Sequence, residues 1–216
     1  MTTQDWKTYG YWAGIISMLF VPMYPLCNWI STQRTDTLAL YMPWELTLPF
    51  IPAMIWAYFS MYVLFFLPPF LLSSTQLTAL GKQLFWGTAI AGITYLVLPS
   101  KLGFAREVPA DAFYGLIYTK LFSVDEPHNM VPSLHIVFTT LLTTAFANAS
   151  GTSTRKMFFY AWLVLIAAST VLVHQHHLLD VSTGFLVAVL LRRVFHGQKE
   201  LANRHASGRT TADSSS

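Results

Sequence analysis

The chain has 216 residues, of which 54% are hydrophobic and only 11% are charged. Soluble domains carry about a quarter charged residues, so this composition excludes an ordinary soluble protein. The formal net charge of +3 is small, and no nucleic-acid partner is expected. Cys27 is the single cysteine, which excludes an intrachain disulfide and a cysteine-based metal site.

Six apolar blocks follow one another along the chain, and a helix needs about 20 apolar residues to cross a bilayer. The blocks cover residues 11–30, 48–72, 79–98, 132–150, 157–175 and 178–196. The first block does not resemble a cleavable signal peptide, because it is long, runs into Pro22 and Pro25, and has no small-residue cleavage pattern. We therefore predict an all-α polytopic membrane protein in which residues 1–196 form one domain, a bundle of six transmembrane helices. The polar segment 197–216 is predicted to be a disordered cytoplasmic tail.

The distribution of Lys and Arg predicts how this bundle is oriented. With six spans, both termini lie on the same side of the membrane as the loop between spans two and three and the loop between spans four and five. That side carries nine basic residues: Lys7, Lys82, Arg155, Lys156, Arg192, Arg193, Lys199, Arg204 and Arg209. The other side carries four: Arg34, Lys101, Arg106 and Lys120. The positive-inside rule therefore places both termini in the cytoplasm, with the protein in a plasma or inner membrane among membrane lipids.

The longest segment between spans covers residues 99–131, on the predicted outer side. Within it, Phe113, Leu116, Ile117 and Leu121 recur at helical spacing. This pattern predicts a short helix within 111–122 that lies in the membrane interface and covers the space between spans.

Span four begins with a sequence suited to binding an anion. Pro132 fits the first turn of a helix, where its missing N–H costs nothing. The amides that follow point outward from a helix start, which carries partial positive charge. Ser133 adds a hydroxyl and His135 an imidazole to the same turn. The sequence thus predicts a phosphate receptacle at the outer surface.

Span six begins at the same outer face with a histidine cluster. His176 and Asp180 are four residues apart, so on a helix they share one face. The Asp180 carboxylate can accept the Nδ1 proton of His176 and leave Nε2 free as a nucleophile or base. His174 and His177 flank this residue, and either could react instead, but only His176 has an acid four residues later.

The two patterns together resemble the type 2 phosphatidic acid phosphatase superfamily over roughly residues 45–195. The segment 132–135 (PSLH) is similar to that family's Pro-Ser-x-His motif, and 176–180 (HHLLD) to the end of its Ser-Arg-x5-His-x3-Asp motif. Counting back from His176, Ser169 stands where the motif has its serine, and Thr170 stands where the motif has its arginine. The first motif, Lys-x6-Arg-Pro, is matched loosely by Lys101 and Arg106, with a gap of four residues.

This resemblance implies a role for each matching residue. His176 would attack phosphorus and form a phosphohistidine, Asp180 would orient it, and His135 would protonate the leaving alcohol. The phosphoryl oxygens would be held by four further residues: Ser133, Lys101, Arg106 and Ser169. The resemblance implies a lipid phosphate as substrate, a site on the extracytoplasmic face, and neither a metal nor another cofactor.

Several alternatives stay open at the level of sequence. Thr170 in place of the arginine removes a fixed cation, which favours a singly charged phosphodiester over a doubly charged monoester as substrate. Transfer is therefore an alternative to hydrolysis, since the related inositol phosphorylceramide synthases transfer a head group to a lipid alcohol. A metal site built from His174, His176, Asp180 and His135 suits zinc or iron but leaves residues 132–133 unexplained. A transporter or a catalytically dead family member would also keep ionisable groups near the ends of the spans.

Overall fold

The computed structural model of the chain describes the backbone of residues 2–213 and the side chains of residues 2–195. Within this part the protein is all-helical, which confirms the predicted all-α class. The helices are α1 (Thr3–Thr32), α2 (Ile55–Phe66), α3 (Pro68–Leu71), α4 (Ser74–Val97), α5 (Ala112–Val124), α6 (Leu134–Ala149), α7 (Ser153–Leu172) and α8 (Leu178–Asp213). Two 3-10 turns, Pro43–Thr47 and Pro52–Met54, precede α2.

The predicted apolar blocks coincide with α1, α4, α6, α7 and the first part of α8. The block at 48–72 differs, because it contains a 3-10 turn, α2 and α3 instead of one continuous helix. Prolines cause these breaks: each removes a backbone donor and fixes φ, so Pro52 and Pro68 stand at the starts of new helical segments.

Two helices in the described part of the chain, Thr3–Thr32 and Ser153–Leu172, are long and apolar enough to cross a membrane. They indicate membrane association, while the full set of six spans stays a prediction.

The short outer helix is present as α5. Asp111 caps it, because its carboxylate accepts hydrogen bonds from the backbone N–H groups of Phe113 and Tyr114, both at 3.0 Å. This arrangement explains why the helix begins at Ala112, within one residue of the start of the predicted segment.

Helix α6 forms the centre of the bundle. All of its residues from Leu134 to Thr143 are buried, and it packs against α2, α4, α7 and α8. Helix α1 packs along α4 at the outside of this core. The turn that begins α6 is therefore held by several neighbouring helices, which gives the site a fixed support.

Helix α8 continues to Asp213, where the sequence predicts a disordered tail over 197–216. The helical backbone agrees with the good helix formers in this segment, such as Glu200, Leu201 and Ala202. The side chains of residues 196–216 and the backbone of 214–216 lie outside the described residues. The division into a membrane domain and a cytoplasmic tail stays a prediction.

Candidate active site

The two sequence motifs meet where α6 and α8 begin. The backbone N–H of Ser133 donates to the carbonyl oxygen of Asp180 at 3.0 Å. One turn further along α8, a Cβ added to Gly184 would lie only 2.6 Å from the Ser133 carbonyl oxygen. Glycine is therefore required at position 184 for the two helices to approach this closely. The folded chain brings residues 132–135 and 176–180 to one place, although 40 residues separate them in sequence.

His176 and Asp180 form the pair that the sequence predicts. His176 Nδ1 lies 3.4 Å from Asp180 Oδ2, a long contact between two buried side chains. The same Oδ2 accepts the backbone N–H of His177 at 2.8 Å, which fixes the carboxylate at the start of α8. With Nδ1 facing Asp180, Nε2 of His176 is left for chemistry.

The two neighbouring histidines have their Nε2 atoms engaged elsewhere. His174 Nε2 lies 3.1 Å from the Leu48 carbonyl oxygen, which only accepts, so this nitrogen carries the proton. His177 Nε2 accepts the backbone N–H of Gly103 at 2.9 Å. His174 also has a φ of 57°, a left-handed conformation that is uncommon for a residue other than glycine. These contacts leave His176 as the histidine of the cluster with a free Nε2.

Glu45 is a site residue that the sequence analysis does not identify. It is fully buried, and its Oε2 accepts the backbone N–H of Leu178 at 2.8 Å and lies 3.3 Å from His177 Nδ1. Its Oε1 accepts the backbone N–H of Met42 at 2.8 Å. Each of the two adjacent histidines therefore faces its own carboxylate. The residues around Glu45 give no signal for this role, because Leu178, which donates to Glu45, lies 133 residues away.

A stack of aromatic rings joins three loops beside the His176–Asp180 pair. Ring centroids lie 4.4 Å apart between Tyr41 and His177, 4.3 Å between His177 and Phe104, and 4.0 Å between Phe104 and His174. The planes are nearly parallel, so four rings pack face against face. His176 lies on the turn between α7 and α8. The stack packs this turn against the segment before α2, which contains Tyr41, and the segment after α4, which contains Phe104.

Burial lowers the pKa of His177, although the nearby carboxylates of Asp180 and Glu45 favour its charged form. In the folded protein this imidazole is neutral, whereas in the unfolded chain it takes up a proton near pH 6.5. Its contribution to stability is therefore complete above about pH 6.5 and is lost as the pH falls below that value.

We expect the Tm of the detergent-solubilised protein to fall between pH 7 and pH 5, and to fall less in a His177→Gln variant. Thermal unfolding followed from pH 8 to pH 5 measures this difference. Burial also lowers the pKa of His128, so part of the fall in Tm with pH remains in both proteins. Identical slopes would contradict a buried, neutral His177.

His135 lies on the first turn of α6 beneath an aromatic ring. Its imidazole stacks on Tyr58 with centroids 4.2 Å apart, and both residues are buried. His135 Nε2 is buried and has no hydrogen-bond partner among the described residues. This nitrogen is available to exchange a proton with a bound molecule. Tyr58, which the sequence analysis does not single out, fixes the plane of the ring.

The predicted phosphate-binding hydroxyls are buried and have helical partners. Ser133 caps α6 by accepting the backbone N–H of Ile136 at 3.4 Å, a weak contact. The hydroxyl of Ser169 donates to the Ile166 carbonyl oxygen at 2.6 Å. Ser133 lies beside the His176–Asp180 pair, and Ser169 lies in the last turn of α7. Phosphate binding by either hydroxyl stays a prediction.

Lys101 and Arg106 lie on the loop after α4. Lys101 is exposed, and its backbone N–H donates to the Leu38 carbonyl oxygen at 3.0 Å. Arg106 is half-buried, and its Nη1 donates to the carbonyl oxygens of Phe122 and Asp125 at the end of α5. Burial lowers the pKa of Arg106, opposed by the carboxylate of Asp125. The described contacts of Arg106 are thus to α5 and not to His135 or His176.

The alternative of a metal site draws on His174, whose Nε2 is already bonded to the Leu48 carbonyl oxygen. Among the described residues no group of three or more His, Cys, Asp and Glu side chains is arranged to hold a metal ion.

In this all-helical bundle His176 and Asp180 lie against the turn that carries Ser133 and His135, and the comparison with known families assigns the chain to a class. Residues 80–204 match the family model described as PAP2 superfamily. The match covers more than half of the chain and includes both motifs, so the protein belongs to the PAP2 superfamily. Members of this superfamily are generally phosphatases or phosphotransferases. A search of curated proteins and a search of solved structures each gave no significant match.

Proposed function

We propose that the protein is an integral membrane enzyme that cleaves a phosphate ester of a lipid through a phosphohistidine on His176 and passes the phosphoryl group to water. The observation that carries this proposal is the pairing of His176 with Asp180 directly against the Ser133 turn. A nucleophile, its orienting acid and a helix start that favours anions are thereby combined at one point.

The proposed reaction has two steps that together restore the enzyme. In the first, Nε2 of His176 forms a bond to phosphorus, the bond to the leaving oxygen breaks, and His135 gives that oxygen a proton. In the second, a water molecule gives a proton to His135 while its oxygen attacks phosphorus, and the phosphorus–nitrogen bond to His176 breaks. Asp180 stabilises the positive charge that develops on the His176 imidazole.

Exposed apolar side chains support the proposed insertion into a membrane. On three different helices Met18, Val97 and Val164 are exposed to 79%, 76% and 67%, and further large hydrophobic residues on the same helices are exposed as well. A protein in water rarely exposes large apolar patches, whereas lipid tails cover apolar side chains without cost. We propose six spans, both termini in the cytoplasm, and the site on the extracytoplasmic face of a plasma or inner membrane.

A second candidate is a phosphotransferase that moves a phospho-head group from a phospholipid to a lipid alcohol, as inositol phosphorylceramide synthases do. The supporting observation is Thr170, which is fully buried and donates its hydroxyl to the Ala167 carbonyl oxygen at 2.8 Å. The family motif has an arginine at this position. A phosphodiester carries one negative charge where a monoester carries close to two, so the loss of a cation favours the diester.

A Thr170→Arg variant is expected to raise the ratio of monoester to diester turnover by roughly 10-fold or more, since one donor aimed at the reacting oxygens is commonly worth at least that much. The measurement compares kcat/KM for both substrate classes in the wild type, in Thr170→Arg and in Thr170→Gln, a long but neutral control. An unchanged ratio in the arginine variant would show that the charge argument is wrong.

The proposed function is tested with purified protein in detergent and a chelator. A panel of lipid phosphomonoesters, pyrophosphates and phosphodiesters, together with lipid alcohols, is offered to the wild type and to His176→Ala, and products are followed by mass spectrometry. Free phosphate from the wild type alone supports the hydrolase. A new lipid that bears the head group supports the transferase. No product from either protein would favour a transporter or a catalytically dead member.

A further inference from the structure

Gln175 is a buried side chain whose hydrogen-bonding groups are unused. The residue is only 2% exposed, and neither Nε2 nor Oε1 has a hydrogen-bond partner among the described residues. Its backbone is well fixed, because its N–H donates to the Thr170 carbonyl oxygen at 3.0 Å. An ordered, buried amide with two unpaired atoms is unusual, since most buried side-chain polar groups have at least one partner.

The position of Gln175 connects it with the reacting histidine. The backbone N–H groups of Gln175 and His176 both donate to the Thr170 carbonyl oxygen at 3.0 Å. Gln175 therefore lies against the residue that replaces the arginine of the family motif. His135 lies on the helix start that faces this turn. Its buried Nε2 also has no hydrogen-bond partner among the described residues. Polar atoms without a partner thus belong to the residue before His176 and to the helix start that faces it.

The chemistry of an amide restricts what it can bind. Its Nε2 donates two hydrogen bonds and its Oε1 only accepts. The oxygens of an ionised phosphoryl group only accept, so they satisfy Nε2 and leave Oε1 unpaired. A ligand that satisfies both atoms carries a hydroxyl or N–H donor beside its phosphoryl group.

We propose that Gln175 is a substrate-binding residue that takes the place of the family's arginine. Its Nε2 donates to a phosphoryl oxygen of the ester that His176 attacks, and its Oε1 accepts from a hydroxyl or N–H group beside that phosphorus. This inference rests on the proposed function, and it makes the site selective for esters of low charge that carry such a donor.

The test uses Gln175→Leu, which removes both polar atoms and keeps a similar volume. We expect kcat/KM for the best substrate of the panel to fall about 10- to 100-fold, the usual effect of losing a hydrogen bond to a charged group. We also expect the Tm without substrate to stay unchanged or to rise, because the variant no longer buries unpaired polar atoms. Inorganic phosphate is expected to raise the Tm of the wild type more than that of the variant.

Gln83→Leu is the matched control, because Gln83 is also buried but lies on α4. Its kcat/KM is expected to stay at the wild-type value. A Gln175→Leu enzyme with a lower Tm and an unchanged kcat/KM would overturn the inference and assign Gln175 a structural role. If Gln175→Leu keeps full turnover while His176→Ala loses it, the inference about Gln175 fails and the proposed function stands. If His176→Ala keeps its turnover, the proposed function itself fails.

Discussion

Replacement of His176 by Ala is expected to reduce turnover by about 10⁶-fold, the magnitude seen when other covalent enzymes lose their nucleophile. The residue is the member of the cluster whose Nε2 is not engaged, while its Nδ1 faces Asp180 at 3.4 Å. In the wild type, brief incubation with a labelled lipid phosphate and quenching in alkali should leave label on the protein. Peptide mapping by mass spectrometry should then place the phosphoryl group on His176.

His174→Asn is the control for this experiment. His174 donates to the Leu48 carbonyl oxygen and stacks on Phe104, so its loss should weaken the turn without removing the nucleophile. We expect this variant to keep the label on His176 and to retain measurable turnover. Label on His174 in the wild type, or label that persists in His176→Ala, would contradict the assignment.

Replacement of Asp180 by Asn is expected to lower kcat by about 10⁴-fold with little change in KM, as when other enzymes lose the carboxylate that orients a catalytic histidine. The amide keeps an oxygen for the backbone N–H of His177, which Asp180 now accepts at 2.8 Å. It removes the negative charge that stabilises the imidazolium of His176. The kinetic loss should therefore come without a comparable loss of Tm.

Asp180→Ala separates the two roles of this carboxylate. It removes the charge and also the cap at the start of α8, and the loss of such a cap costs about 1 kcal/mol. We expect the same kinetic defect as in Asp180→Asn together with a lower Tm in thermal unfolding. If Asp180→Asn stayed within tenfold of the wild type in kcat, Asp180 would serve as a helix cap and not as the orienting acid.

The sequence predicts the helices and the central pair well, because both depend on short-range patterns. Apolar blocks determine where the helices lie. His176 and Asp180 do meet, but they do not share one helix face as predicted, because His176 lies in the turn before α8 begins at Leu178. The continuous helix predicted for 48–72 is wrong, since prolines interrupt it. The two motifs also carry enough of the family pattern for the amino-acid sequence alone to indicate the superfamily.

Long-range contacts account for what the sequence analysis misses. Glu45 contacts the start of α8 from 133 residues away, and the amide of Gly103 donates to Nε2 of His177. Neither contact can be read from the residues that surround Glu45 or His177 in the sequence. The phosphate-binding role that the resemblance implies for Arg106 stays a prediction. In the folded chain its guanidinium bonds to carbonyl oxygens at the end of α5.

The close approach of α6 and α8 at Gly184 restricts the route by which a lipid can reach the site. These helices touch through the Ser133–Asp180 hydrogen bond, and no side chain fits between Gly184 and the Ser133 carbonyl oxygen. An acyl chain does not fit between the two helices there unless the Ser133–Asp180 hydrogen bond is broken. If the proposed lipid phosphate is the substrate, we expect it to enter along another side of the bundle, with His176 and Asp180 held in place while it arrives.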